Sequence, residues 1–328
     1  KVMYAVHSNV QLEQAITNDL SFTVGYIHSN GRHIPVYRNI NCLPTGATLG
    51  DGRPIFGTFA INQTPGASAG VISINGCTNR IFPQFQNILM VEAAGNSNYD
   101  AGTFQLSKRF SQGYQFSVNY TLSRSEDDAP EQNLVVAPSL ALSDPSNRAR
   151  DKGKSFADQT HTFVMSFVGR PQFDFGSRAL NYILNNNQFG IIATANNGEV
   201  FNITSNIDLN RDGILGNDRP AGIERNSGRT PKQFNVDVRF SRFIPITERF
   251  RIEAFAEAVN IFNTNSIFQF NNVVLQSSRN ALSGVAGSFD TLVNPLTGEI
   301  RGSLPEFRNL GVTSLDSRQF QFGVKFIF

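Results

Sequence analysis

The 328-residue sequence has no tryptophan, three methionines, two cysteines and four histidines, and only 16% of it is Asp, Glu, Lys or Arg. Ordinary soluble domains carry about 25% charged residues, so a typical cytosolic enzyme surface cannot be built from this chain. A formal net charge of +2 with no basic stripe offers no groove for nucleic acid. Long apolar runs are absent as well. The longest candidate, Leu134 to Leu142, is broken by Pro138 and falls far short of the roughly 18 to 20 residues of a membrane helix, which excludes a helical membrane protein. His7, His28, His33 and His161 are scattered and form no HExxH pair, and neither a GxSxG elbow, a GxGxxG turn nor a Walker loop occurs. Nothing in the spacing of Ser125, Asp127 and His161 requires them to meet, so no catalytic site and no enzyme is expected.

Phenylalanine is plentiful at 29 residues, with seven tyrosines, and it recurs with period two. Tyr114, Phe116, Val118, Tyr120 and Leu122 alternate with Gln115, Ser117, Asn119, Thr121 and Ser123. Successive side chains of a strand point to opposite faces, so one face is aromatic and the other small and polar. Phe234 to Phe240 and Phe320 to Phe328 repeat the pattern. Shorter ladders cover Leu20 to Tyr26, Phe104 to Phe110, Phe163 to Phe167 and Phe189 to Ala195, after a first strand with Val6, Val10, Leu12 and Ile16. Phe250 to Phe262 is the least clean of the nine. A soluble sandwich would place Lys and Glu on the polar face. Here that face is mainly Ser, Thr, Gln and Asn, and strands of roughly nine to thirteen residues suit a tilted bilayer crossing.

The connections alternate in length. Tight ones fall at Thr17-Asn18-Asp19, Ser111-Gln112-Gly113 and Pro245 to Glu248; long ones cover 30–98, 127–160, 198–232 and 264–317, with 171–186 intermediate. Short turns on one side and long loops on the other predict an all-β fold, a transmembrane antiparallel β-barrel of the outer-membrane type. A three-residue hairpin loop at 111–113 keeps Phe104, Leu106, Val118 and Tyr120 toward lipid and Gln105, Ser107, Ser117 and Asn119 toward the lumen. The same parity turns Arg239, Arg251, Glu253 and Glu257 inward and brings Arg239 across to Glu253. Nine strands are an odd number, whereas bacterial barrels are normally even. Residues 1–328 are therefore expected to be the C-terminal portion of a larger barrel, without the plug and N-terminal domains.

Two local patterns carry possible chemistry. Cys42 and Cys77 lie in a stretch rich in Gly, Pro, Asn and Thr, which fits one disulfide closing an extracellular loop better than a metal cluster; two inert thiols are the alternative. Asp208, Asn210, Asp212 and Gly213 match positions 1, 3, 5 and 6 of a calcium loop, yet position 12 is Arg219 and Asp218 is off by one. Both a Ca2+ site and a plain Asn/Asp/Gly turn network remain open.

Asn96 to Tyr99 leading through Phe104 to Phe110 and on to Ser125-Glu126-Asp127-Asp128, then Asp208 to Gly213, Asn217-Asp218-Arg219-Pro220, Arg225 to Arg229 and Glu257 to Asn263, resemble in order the late barrel of TonB-dependent outer-membrane receptors. The Oar-like group, with its carboxypeptidase-regulatory-like domain, is the most similar. The resemblance covers about 90 to 328. It implies a barrel of about 22 strands in the outer membrane of a Gram-negative bacterium, importing a bulky solute such as a siderophore, glycan or peptide with energy from the TonB complex. The terminal Phe320, Phe322, Val324, Phe326 and Phe328 resemble the signal read by the barrel assembly machinery; a strand that merely faces lipid would carry the same residues. A passive porin and a structural or adhesive barrel are the competing expectations.

Overall fold

The computed structural model describes residues 1–61, 72–129, 141–205, 208–214, 218–266, 273–274 and 317–328. Nine strands follow one another in a continuous antiparallel sheet: β1 (Tyr4–Ala15), β2 (Leu20–Asn39), β3 (Leu89–Ser111), β4 (Tyr114–Asp127), β5 (His161–Gly169), β6 (Asn187–Asn196), β7 (Gln233–Pro245), β8 (Arg251–Val259) and β9 (Gln319–Ile327). The two-residue segment Gly153–Lys154 is added beside β4. Each strand pairs with its neighbours in sequence, as in an up-and-down barrel. Among the described residues β1 pairs only with β2 and β9 only with β8, so the sheet has two open edges.

Register fixes the faces. Phe104 is opposite Tyr120, and Tyr120 opposite Phe163; Leu106, Val118 and Met165 form the next row. Val238 pairs with Ala258, Phe240 with Ala256, and Ala256 in turn with Phe322. Directly opposed residues share a face, so these rows make up one aromatic and aliphatic outer surface. The rows Gln105–Asn119, Ser107–Ser117 and Glu257–Gln321 lie on the other, polar surface. On this surface Phe322, on the edge strand β9, and Phe328, just past its end, are 76% and 88% exposed.

The turn between β3 and β4 differs from the expected three-residue loop. Ser111 pairs with Tyr114, and Gln112 and Gly113 both have positive φ, 51° and 88°. This is the two-residue turn whose twist matches that of the flanking strands. A register shift between Lys108 and Ser111 adds one residue to β3, and that bulge restores the parity the longer loop would have supplied. The faces therefore come out as the alternation predicts.

The other two tight turns share one design. Ile16 and Thr17 donate backbone N–H bonds to Leu20, and Ile246 and Thr247 to Phe250, while each Thr hydroxyl accepts from the chain ahead. The 171–186 connection holds the short helix α1 (Arg178–Leu184).

The long connections are shorter than the sequence suggests. β2 runs on to Asn39 and β3 starts at Leu89, so much of 30–98 is strand. The outward side of this extension carries His28, Asn30 and Arg32 rather than aromatics, so strand pairing continues where the apolar alternation stops. The last ladder is also trimmed: β8 ends at Val259, and Phe262 packs on Phe234 beyond it. Most of the expected 264–317 loop lies outside the described residues.

Candidate functional site: a packed cap and a charged inner wall

At the long-loop end the described parts of the connections 40–88, 128–160 and 197–232 fold against one another. Residue 37 of the prolonged β2 bridges to residue 141, and Leu142 N–H donates to the Tyr37 carbonyl at 3.0 Å. Leu49, Ile55, Ile203 and Leu209 form a small apolar core drawn from two loops. Beside it, Cys42 and Cys77 are joined, with Cα atoms 5.6 Å apart, and both are buried against Phe56. Asn41, fully buried, clamps the same loop: its amide donates to the carbonyls of Phe82, Phe85 and Gln86 and its oxygen accepts from Phe82 N–H at 2.7 Å.

Charge holds the loops together where apolar surface is scarce. Arg219 donates to Asp151 and to the Arg150 carbonyl, both at 2.9 Å. Asp151 also accepts from the Ser143 N–H and hydroxyl at 2.9 Å. Arg225 reaches the Asp151 carbonyl at 2.8 Å and pairs with Asp127; Arg53 donates to the Arg219 carbonyl at 2.6 Å and pairs with Asp51. Buried ions are tolerated only when paired and hydrogen-bonded, and these satisfy both demands. Between them a cavity of about 320 Å3 opens, lined in part by Asp51, Arg53, Arg150, Lys152, Arg219 and Glu224.

Asp208, Asn210 and Asp212 lie in the middle of this cap, all buried. Asp208 accepts from Asp212 N–H at 3.0 Å and Gly213 N–H at 2.8 Å; Asn210 Oδ1 accepts from Asp212 N–H at 3.1 Å, and Asp212 from Ile214 N–H at 2.7 Å. Burial raises the Asp208 carboxyl above its ordinary value, against the pull of the Gly213 and Asp212 N–H groups, and lowers Arg211. Asp218, which the sequence pattern excluded, is completely buried beside them. Its pKa is pushed well up by burial and by the charges of Asp212 and Asp208. Among the described residues no three His, Cys, Asp or Glu groups are already gathered as a metal centre.

The inner wall carries the second cluster. Arg239 is opposite Glu257 and bonds both Glu253 at 3.0 Å and Glu257 at 3.3 Å. Ser241 Oγ donates to Glu253 at 2.8 Å, and Lys325 is opposite Glu253 in the register. The Arg239 guanidinium also stacks 4.0 Å over the Phe255 ring, which in turn covers Gly323. Arg251 shares this face at the turn end, over the Phe243 ring. Phe320, Phe322, Val324, Phe326 and Phe328 occupy the opposite, outer face of β9.

Near the tight turns Lys108 and Arg242 fall on the outer face, where parity alone would leave them in lipid. Lys108 bends down to Asp19 at 2.7 Å and over the Tyr114 ring. Arg242 reaches the Ile183 and Asn185 carbonyls at 2.8 and 2.5 Å, at the end of α1. Both lie near the tight-turn end, where long side chains reach the membrane interface. The histidines stay apart: His28 bonds Asp100 and His161 bonds Tyr120, each through Nδ1.

The family model of the outer membrane beta barrel domain matches residues 1–224. No curated protein matches the chain. The aromatic outer face, the polar inner face, the alternation of tight turns with long loops and a family match over more than half of the sequence agree, and the chain belongs to the outer membrane beta barrel domain family of the bacterial outer membrane.

Proposed function

We propose that the chain forms the C-terminal portion of a TonB-dependent barrel of about 22 strands that imports a bulky solute across the outer membrane. The observation that carries this reading is the pair of open edges. In an alternating antiparallel sheet the first and ninth strands run the same way, so β1 and β9 cannot close on each other antiparallel. A second copy of the same nine strands meets the same obstacle. Unpaired strand edges in hydrocarbon cost several kcal/mol per exposed backbone group, so closure calls for an odd number of further strands. A barrel that wide needs a plug to remain a barrier, which is the arrangement that the resemblance to the Oar-like receptors implies. The packed cap with its charged cavity then faces the medium where a solute arrives, and the aromatic end of β9 serves as the signal for the barrel assembly machinery.

The test is uptake by cells carrying the full-length protein, with and without a working TonB system. Loss of accumulation when TonB is disabled supports the importer. Uptake that continues down a gradient makes the protein a passive porin, and no uptake in either case leaves a structural or adhesive barrel.

A further inference from the structure

The calcium pattern at Asp208 fails in sequence at its twelfth position, Arg219. The fold removes that objection. Arg219 turns away to Asp151 and the Arg150 carbonyl, while Asp218 turns toward the loop. Asp218 is fully buried; its Oδ1 faces the Asn210 N–H at 3.4 Å and its Oδ2 has no hydrogen-bond partner. A buried carboxylate oxygen without a protein donor is costly. Asp208, Asp212 and Asp218 are all buried, and of the cations beside them Arg53 is already paired with Asp51 at 2.9 Å.

We propose that Asp208, Asn210, Asp212 and Asp218 bind one calcium ion inside the extracellular cap, with Asp218 supplying the ligand that the loop lacks at its end. The donor set is oxygen only, three carboxylates and one amide, which suits a hard cation with flexible coordination. The backbone bonds that these side chains accept leave lone pairs over, since a carboxylate has about four acceptor positions. The three carboxylates are not gathered around one point, and the ion is what draws them together against their mutual repulsion. Its effect is mechanical. The loop lies on the disulfide segment: Cys77 N–H donates to the Arg211 carbonyl at 2.7 Å, and a Cβ on Gly76 would meet Gly213 Cα at 3.3 Å. An ion at Asp208 therefore fastens the 197–232 connection to the 40–88 connection. The site needs only the cap and does not depend on transport.

The experiment is equilibrium dialysis of the chelator-treated, folded full-length protein against radioactive Ca2+ alone, with thermal unfolding in parallel. One equivalent should bind by about 1 mM, the range of extracellular calcium modules. Asp218→Asn should weaken binding roughly tenfold or more, and chelation should lower the thermal midpoint of the wild type but not of the variant. Glu224→Gln, in the neighbouring cavity, should bind as the wild type does. Less than one equivalent bound at about 1 mM, or unchanged affinity in folded Asp218→Asn, overturns the proposal. Should that variant fail to fold, the wild-type stoichiometry and Asn210→Ala decide.

Discussion

Removing Arg239 is the sharpest perturbation of the inner wall. Its guanidinium joins two carboxylates on β8, Glu253 at 3.0 Å and Glu257 at 3.3 Å, and lies 4.0 Å over the Phe255 ring. A hydrogen bond to a charged partner contributes about 1.5 to 3 kcal/mol when buried, and a cation over an aromatic ring at an exposed site about 0.5 to 1 kcal/mol. The side chains of Arg239 and Glu257 are about one third exposed, so their pair is screened and weak. That of Glu253 is only 11% exposed, yet it keeps Ser241 and faces Lys325 when Arg239 is gone. Together these give a loss of about 2 kcal/mol for Arg239→Met. A double-mutant cycle with Glu253→Gln isolates the pair and should return a coupling of about 1 kcal/mol. The assay is urea unfolding of the full-length protein in lipid vesicles, followed by heat-modifiable gel mobility. Gly323→Ala gives a second approach: a Cβ there would stand 2.4 Å from the Phe255 ring. The ring must move, and Arg239 loses its stack. A coupling below about 0.3 kcal/mol would mean that Arg239 and Glu253 are independent solvated charges and would refute the reasoning.

Reducing the Cys42–Cys77 bond, which closes 35 residues, should cost the cap up to roughly 4 kcal/mol by the loop-entropy relation; hydrogen exchange in 40–88 should rise while the wall strands stay protected. Ala256→Arg, between Phe240 and Phe322 on the outer face, should cost roughly 2 to 4 kcal/mol in vesicles, whereas Gln321→Arg on the inner face should be nearly neutral; equal costs would overturn the face assignment. Asp151→Asn takes the counter-charge from buried Arg219 and should destabilise the cap by about 3 kcal/mol, read as new proteolytic cleavage in 141–160. The Asp19 carboxyl is held well below its ordinary value by Lys108 first, then Ser111 and Thr17. A depressed folded pKa adds stability above the unfolded value of about 4 and loses it as pH falls, so Asp19→Asn should flatten the acid side of the wild-type pH profile.

What the sequence discloses and what it hides have one physical cause. Period-two alternation of Phe with Ser, Gln and Asn records a strand with lipid on one side and water on the other. It placed all nine wall strands, and with them the inward direction of Arg239, Glu253 and Glu257. Where lipid ends, the record ends too. Ser29 to Arg32 are polar on both sides, and Asn96, Ser97 and Asn98 likewise, although the strands continue through them to Asn39 and from Leu89. Asp218 is set aside for a different reason: a linear calcium pattern fixes its last ligand by counting along the chain, and counting reaches Arg219, whereas the fold buries Asp218 with its Oδ1 toward the Asn210 N–H.

The level at which the outer face changes sets the membrane's position on the wall. On β4 the outward residues run Tyr114, Phe116, Val118, Tyr120 and Leu122, then turn to Arg124 and Glu126; on β3 they change from Phe104 and Gly102 to Asp100 and Asn98. Tyr26 and Tyr120 stand at this boundary, their hydroxyls bonded to Asp100 at 2.6 Å and His161 at 2.7 Å, as interfacial aromatics do. At the other end Lys108 and Arg242 bend toward the tight turns. Eight residues separate Tyr114 from Leu122, which at about 3.3 Å each and a tilt near 40° is about 20 Å of height, close to the roughly 25 Å apolar band of outer-membrane barrels. The 13 residues of β2 beyond Tyr26 therefore rise above the bilayer, and they carry the bridge to residue 141 that anchors the cap. The extension is thus a pedestal: its backbone pairing, with no help from lipid, holds the disulfide, the arginine network and the Asp208 loop clear of the membrane surface.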